Sequence, residues 1–134
     1  MRVVFDTNVF IAAVLHPGLC EELFRRGISG LFDIALSPAL LREVEQKLCE
    51  KSDFSDQQRE NFLREIESAS YLVKDTILIQ IVDADPDDDM IIAYSLAADA
   101  ELIISMDHHL LELKEISGIA IMHPSTFRWI LDPS

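Results

Sequence analysis

Carboxylates hold the positions at which this chain could do chemistry. Asp6 directly follows the apolar run Val3-Val4-Phe5. Asp107 follows a second run, Leu102-Ile103-Ile104, after Ser105 and Met106. Residues 83–89 read DADPDDD, five carboxylates in seven positions, and Glu43 lies one turn beyond the helix start at Ser37-Pro38. Oxygen-only side chains on separate segments suit a hard divalent cation such as Mg²⁺, which accepts one or two carboxylates and keeps several waters. Such ions activate water and neutralise charge on a phosphodiester during in-line displacement. Competing chemistries find little support. The four histidines, His16, His108, His109 and His123, show no zinc-ligand spacing. There is no serine–histidine–acid or cysteine–histidine pattern and no Gly-rich phosphate loop. The 83–89 run lacks the glycine and distal glutamate of an EF-hand loop.

Every one of these acids also has a purely structural reading. Asp6 and Asp107 stand where an N-cap would stand. Glu43 on its own is an ordinary solvated helix residue. The 83–89 run decorates a helix N-terminus, where negative charge interacts well with the dipole. The dipole accounts for one or two of those acids. Five so close together repel one another unless they are solvated or bound to a cation.

The elements that must position these residues are visible in the hydrophobic pattern. Residues 2–6 and 32–36, and Leu102-Ile103-Ile104, read as short strands buried on both faces. Another strand is expected at 119–122, and residues 71–73 and 77–82 read as one or two more. Helices are expected over Thr7–Leu15 and Leu19–Arg26, the latter ended by Gly27. Ser37-Pro38 supplies an N-cap and a first-turn proline for a helix carrying Leu41, Val44 and Leu48. Ser55-Asp56-Gln57-Gln58 is a capping box opening a helix with the stripe Phe62, Leu63, Ile66 and Ala69. Further helices are expected from about Asp89 to Asp99, over 108–115, and from His123-Pro124 with Phe127, Ile130 and Leu131 on the apolar side. Apolar strands alternating with amphipathic helices predict a three-layer α/β/α sandwich around a mostly parallel sheet. In such sheets ligands gather outside the carboxyl ends of the strands. That rule sends Asp6, Ser37, the 83–89 run and Asp107 to one rim.

Bulk properties bound the answer. The chain has 134 residues, 49% of them hydrophobic, which suits a single domain over 1–134 with a core needing no staples. Cys20 and Cys49 are too few for a disulfide framework, and both are expected to be buried thiols. No stretch is long and apolar enough for a membrane span, and the first residues do not resemble a signal peptide, so a cytoplasmic protein is expected. The net charge of −13 is uneven: residues 1–74 hold nine Lys/Arg against twelve Asp/Glu, and residues 75–134 hold two against twelve. Bulk electrostatics therefore disfavour nucleic-acid binding and favour metal cations or a basic protein partner.

The motif order Asp6-Thr7-Asn8, Ser37-Pro38 with Arg42-Glu43-Val44, Asp85-Pro86-Asp87-Asp88-Asp89, and Ile103-Ile104-Ser105-Met106-Asp107-His108-His109-Leu110-Leu111 resembles the PIN-domain family. It is closest to the branch regarded as toxins of bacterial and archaeal toxin–antitoxin systems. The resemblance covers essentially the whole chain. It implies an α/β/α metal-dependent ribonuclease that cleaves RNA with Mg²⁺ or Mn²⁺. The family's acids fall on Asp6, Glu43, Asp88 (with Asp89 as close rival) and Asp107, with Asn8 and Ser105 orienting carboxylates or water. It also implies a homodimer and a small antitoxin partner. Two departures stand out. His109 replaces the family's frequent second aspartate, and basic surface for RNA is sparse, with Arg25, Arg26, Arg42, Lys47 and Lys51 as the candidates.

Two other functions fit parts of the pattern. A non-catalytic module of the same fold would keep the acids to bind metal or to dock a basic partner. An aspartate-nucleophile phosphatase would want a second aspartate where this chain has Asn8.

Overall fold

The computed structural model describes residues 1–51, 53–72 and 86–133, with the side chains of 69–72 and 86–89 left out of that description. Six strands and seven helices are described: β1 (Arg2–Phe5), α1 (Thr7–Leu15), α2 (Leu19–Ile28), β2 (Asp33–Leu36), α3 (Pro38–Lys51), α4 (Asp56–Ala69), β3 (Ser70–Leu72), α5 (Pro86–Ala97), β4 (Leu102–Ile104), α6 (His108–Leu113), β5 (Glu115–Ile116), β6 (Ile119–Met122) and α7 (Pro124–Leu131). The sheet order is β3-β2-β1-β4-β6-β5. All pairings are parallel except β5 with β6.

The short apolar runs become strands because helices cover both faces of the sheet. Right-handed crossovers require this arrangement. The connections β1→β2 and β2→β3 step in one direction and place α1–α4 on one face. The return from β3 to β4, and the step on to β6, place α5 and α6 on the other. An aromatic chain fills the first interface. Phe10 packs on Phe5 at 5.5 Å and on Phe24 at 6.2 Å, and Phe24 reaches Phe62 at 5.6 Å. Phe32 joins Phe5 at 6.1 Å to Phe127 at 5.1 Å, which brings α7 onto this side as well. Phe5 is fully buried at the centre of this chain, so the backbone that carries Asp6 is held firmly.

Local signals explain most helix ends. Ser37 Oγ accepts from the Leu40 N–H at 3.1 Å. Ser55 and Gln58 exchange reciprocal bonds at 2.8 and 3.2 Å, a formed capping box. His123 caps α7 with its imidazole, whose Nδ1 accepts from the Ser125 N–H at 3.1 Å.

Four expectations need correction. Gly27 does not end α2, which runs on to Ile28. Gly27 is a packing residue: an added Cβ would stand 2.5 Å from Ile34 Cδ1 and 2.9 Å from Phe32 Cε2. Cys49 is exposed near the end of α3, and only Cys20 is buried. Ile130 is exposed, because Phe127 and Leu131 suffice to seat α7. A two-residue antiparallel edge, β5, precedes β6 and was not anticipated, being too short to show a period. The expected strand over 71–73 is described as Ser70–Leu72, and the one at 77–82 lies outside the described residues.

Candidate metal centre at the switch point of the sheet

Strand order reverses at β1, whose two neighbours β2 and β4 lead away in opposite directions. The crevice beyond the carboxyl ends of β1 and β4 is thus the switch point at which open α/β sheets bind ligands. Asp6 is the first residue past β1, and its N–H extends the ladder to Ile104 O at 2.9 Å. Ser105 is the first residue past β4, and its N–H bonds Met122 O of β6 at 3.0 Å. Three adjacent strand ends therefore deliver Asp6, Ser105 and His123 side by side.

Within this crevice the Ser105 hydroxyl is fully buried and acts as a bridge. It donates to Asp6 Oδ2 at 2.8 Å and accepts from the Asp107 N–H at 2.9 Å. Asp6 Oδ1 accepts from the Thr7 N–H at 2.8 Å. Asp107 Oδ1 accepts from the His109 N–H at 2.8 Å, so Asp107 caps α6 just as Asp6 caps α1. The capping reading of both acids is realised, and each still keeps an oxygen lone pair for another group.

Burial pushes the Asp6 carboxyl above its ordinary value. The hydrogen bonds from Ser105 and Thr7 oppose that rise, and the like charges of Asp107 and Glu43 reinforce it. Carboxylates from α3 and the β4–α6 turn thus both act on Asp6. Lys47 sits 3.7 Å from Glu43, one turn along α3. Next to Asp6, the Thr7 hydroxyl is buried and has no hydrogen-bond partner among the described residues. Buried polar atoms are rarely left so.

These features match what a hard cation would need: oxygen donors, mutual repulsion, and a spare polar atom. Among the described residues, however, no three ligand-type side chains close around one point. The expected acid from α5 is not among them. α5 ends at the strand starts, where Arg2 Nη1 donates to Ala98 O at 2.7 Å, so its first turn, with Asp88 and Asp89, lies at the rim end. Their side chains fall outside the described part of the structure, as do Asp83 and Asp85 altogether.

The other expected residues are distributed as follows. Asn8 is exposed on the first turn of α1, and neither hydrogen bond of Asp6 comes from it. His109 is exposed and contributes its backbone N–H, while His108 pairs with Glu112 at 3.0 Å. Arg42 lies on the rim half of α3, with Lys47 beyond its midpoint and Lys51 at its far end. α2 carries Arg25 and Arg26 to the opposite end of the sheet, where Arg25 pairs with Glu65 at 2.6 Å. Arg26 joins Glu22 at 3.0 Å and Asp132 at 2.5 Å. Met106 and His123 were not singled out as site residues. Both directly follow or flank a strand end, so the rule that located Asp6 locates them too.

The chain belongs to the PIN-domain family: the family's model, described as PIN domain, matches residues 2–109. No curated protein matches the chain. Among solved structures, it is similar to VapBC2 from Rickettsia felis, a complex bound to a DNA fragment from its promoter, at 15% identity and a TM-score of 0.64. That match covers 90% of this chain and 97% of the other. It is also similar to PAE2754 from Pyrobaculum aerophilum, at 14% identity and a TM-score of 0.64, covering 99% and 90%. At these identities the likeness is one of fold, and the α/β architecture read from the sequence is that fold. No described helix is long and apolar enough to cross a membrane.

Proposed function

We propose that this PIN-domain protein is a divalent-metal-dependent endoribonuclease and the toxin of a toxin–antitoxin pair, acting in the cytoplasm as a homodimer restrained by a small antitoxin. The observation that carries the reading is Asp6: a half-buried carboxylate at the sheet's switch point, bridged through Ser105 to Asp107 and repelled by Asp107 and Glu43. Membership of the PIN family and the likeness to a VapBC complex support it.

Asp6, Glu43, Asp107 and Asp88 (or Asp89) would hold Mg²⁺ or Mn²⁺, which when bound supplies charge neutralisation at a phosphodiester and activation of water. Ser105 fixes the Asp6 carboxylate, and the Asp107 backbone is held by the same hydroxyl. Asn8, exposed on the first turn of α1, would meet water or substrate entering the crevice.

Cleavage of a mixed-sequence RNA in Mn²⁺ should be lost in Asp6→Asn while its circular dichroism stays native. Undiminished cleavage by that variant would falsify the site. His109 in place of an acid, together with the −13 charge, favours a second reading, a metal-binding module without catalysis. That protein would bind Mn²⁺ calorimetrically and cut nothing.

A further inference from the structure

We propose that a hollow sharing a wall with the acidic crevice seats one nucleobase of the RNA, that of a nucleotide adjoining the scissile phosphate; the identity of the strand rests on the nuclease reading. The hollow has a volume of about 170 Å³ and is lined chiefly by Ala12, His16, Pro17, Leu19, Met106 and His123. Its position follows from the sheet. Met106 lies between Ser105 and Asp107, and the bond from Ser105 N to Met122 O brings His123 alongside. Met106, in the wall of the hollow, is one residue from Asp107 along the chain.

The lining decides what that group is. No lining residue is a carboxylate, ammonium or guanidinium, so neither a phosphate nor a metal ion is held there. The volume falls well below the roughly 300–1,000 Å³ of pockets that enclose drug-sized ligands, leaving room for one flat ring. Imidazoles and a thioether offer stacking surfaces, and histidine is among the side chains on which unpaired RNA bases stack. His123 adds a directed polar contact. Its Nδ1 accepts from Ser125 N–H at 3.1 Å, so in the neutral ring the proton sits on Nε2, a donor for a base oxygen or ring nitrogen. The exposure of Met106, 38% for an apolar side chain beside the site, is accounted for in the same way.

Electrostatics point to the same occupant. With a net charge of −13, phosphate contacts contribute little affinity beyond the metal. Base stacking is sequence-tolerant and independent of phosphate charge.

The test uses the full chain labelled at its four methionine methyls, without divalent cation so that RNA stays intact. Hexauridylate and hexaadenylate should each move the Met106 methyl upfield by ring current, saturably, while the Met1 methyl stays in place. An abasic hexamer of equal charge should leave Met106 unmoved. Variants His16→Ala and Met106→Ala should raise KM for RNA about 5- to 100-fold and level the nucleotide preference at the cleavage site. A Met106 methyl silent to both hexamers, or equally moved by the abasic one, overturns the proposal. So does a response confined to an added basic amphipathic peptide, which would assign the hollow to a protein partner. Cleavage in Mn²⁺ with Met106 silent sinks the base seat alone. A responding Met106 without any cleavage sinks the nuclease reading alone.

Discussion

Asp6 holds two roles that draw on different atoms. One oxygen accepts the Thr7 N–H and starts α1, and the other is gripped by Ser105. Neither bond compensates fully for burial, so the carboxyl stays above its ordinary value of 3.8, raised first by desolvation and then by Asp107 and Glu43. A carboxyl raised on folding binds its proton more tightly in the native state. The stability it lends is complete below the unfolded-state value and is lost as pH rises through the folded one. The metal-free protein should therefore weaken as pH climbs from about 4, and Asp6→Asn should not. Urea titrations at acid and neutral pH would read this as a stability advantage for Asp6→Asn at pH 7 that vanishes in acid. Added Mn²⁺ should reverse the order, since it stabilises only the protein that binds it. The placement of Asp6 and Asp107 beyond strand ends was legible from sequence because each follows an all-apolar run. Asp88 and Asp89 could not be told apart, because adjacent residues of one helix differ by about 100° in direction and nothing local selects between them.

At the level of elements, the motifs with short-range chemistry were the readable ones. Ser37, the Ser55–Gln58 box and the start of α7 are determined by residues within one turn, and each forms the expected bond. Gly27 was misread because its reason lies across the fold. It touches β2 and the loop before it, and the contact to Ile34 is invisible in a local window. Gly27→Ala should cost about 1–3 kcal/mol of overpacking, offset by roughly 1 kcal/mol of helix propensity. The expected outcome is a lower urea midpoint with an unchanged slope, and a rise in the midpoint would show that Ile34 gives way without strain. Cys49 was misjudged for a similar reason. Its type suggests burial, but the stripe Leu40, Val44 and Leu48 already fills the inner face of α3 and leaves its neighbour outside.

Across the whole molecule, fold class was legible from the alternation of apolar runs and amphipathic helices, but strand order was not, because it is set by crossovers rather than by local pattern. That order decides which charges share a rim. It brings the acids together and sends Arg25 and Arg26 to the far end, where Arg26 ties α2 to Asp132 beyond α7. Of the basic residues expected to meet RNA, Arg42 stays on the rim half of α3 and Lys47 lies just beyond its midpoint. Each phosphate neutralised contributes about 0.7 to the salt slope for single strands. KM for RNA should therefore rise less than about tenfold between about 50 and 200 mM salt at saturating Mn²⁺, and a steeper dependence would mean that basic surface elsewhere engages the strand. The long reach of the Ser105 bond to Asp6, across 99 positions, has a consequence for how the protein is made. β1 lies in the middle of the sheet, yet its partner β4 is translated about a hundred residues after it. A growing chain carries Asp6 throughout but has no Ser105 to orient it and no Asp107 beside it. Competence thus waits until β4 and the turn after it have been translated.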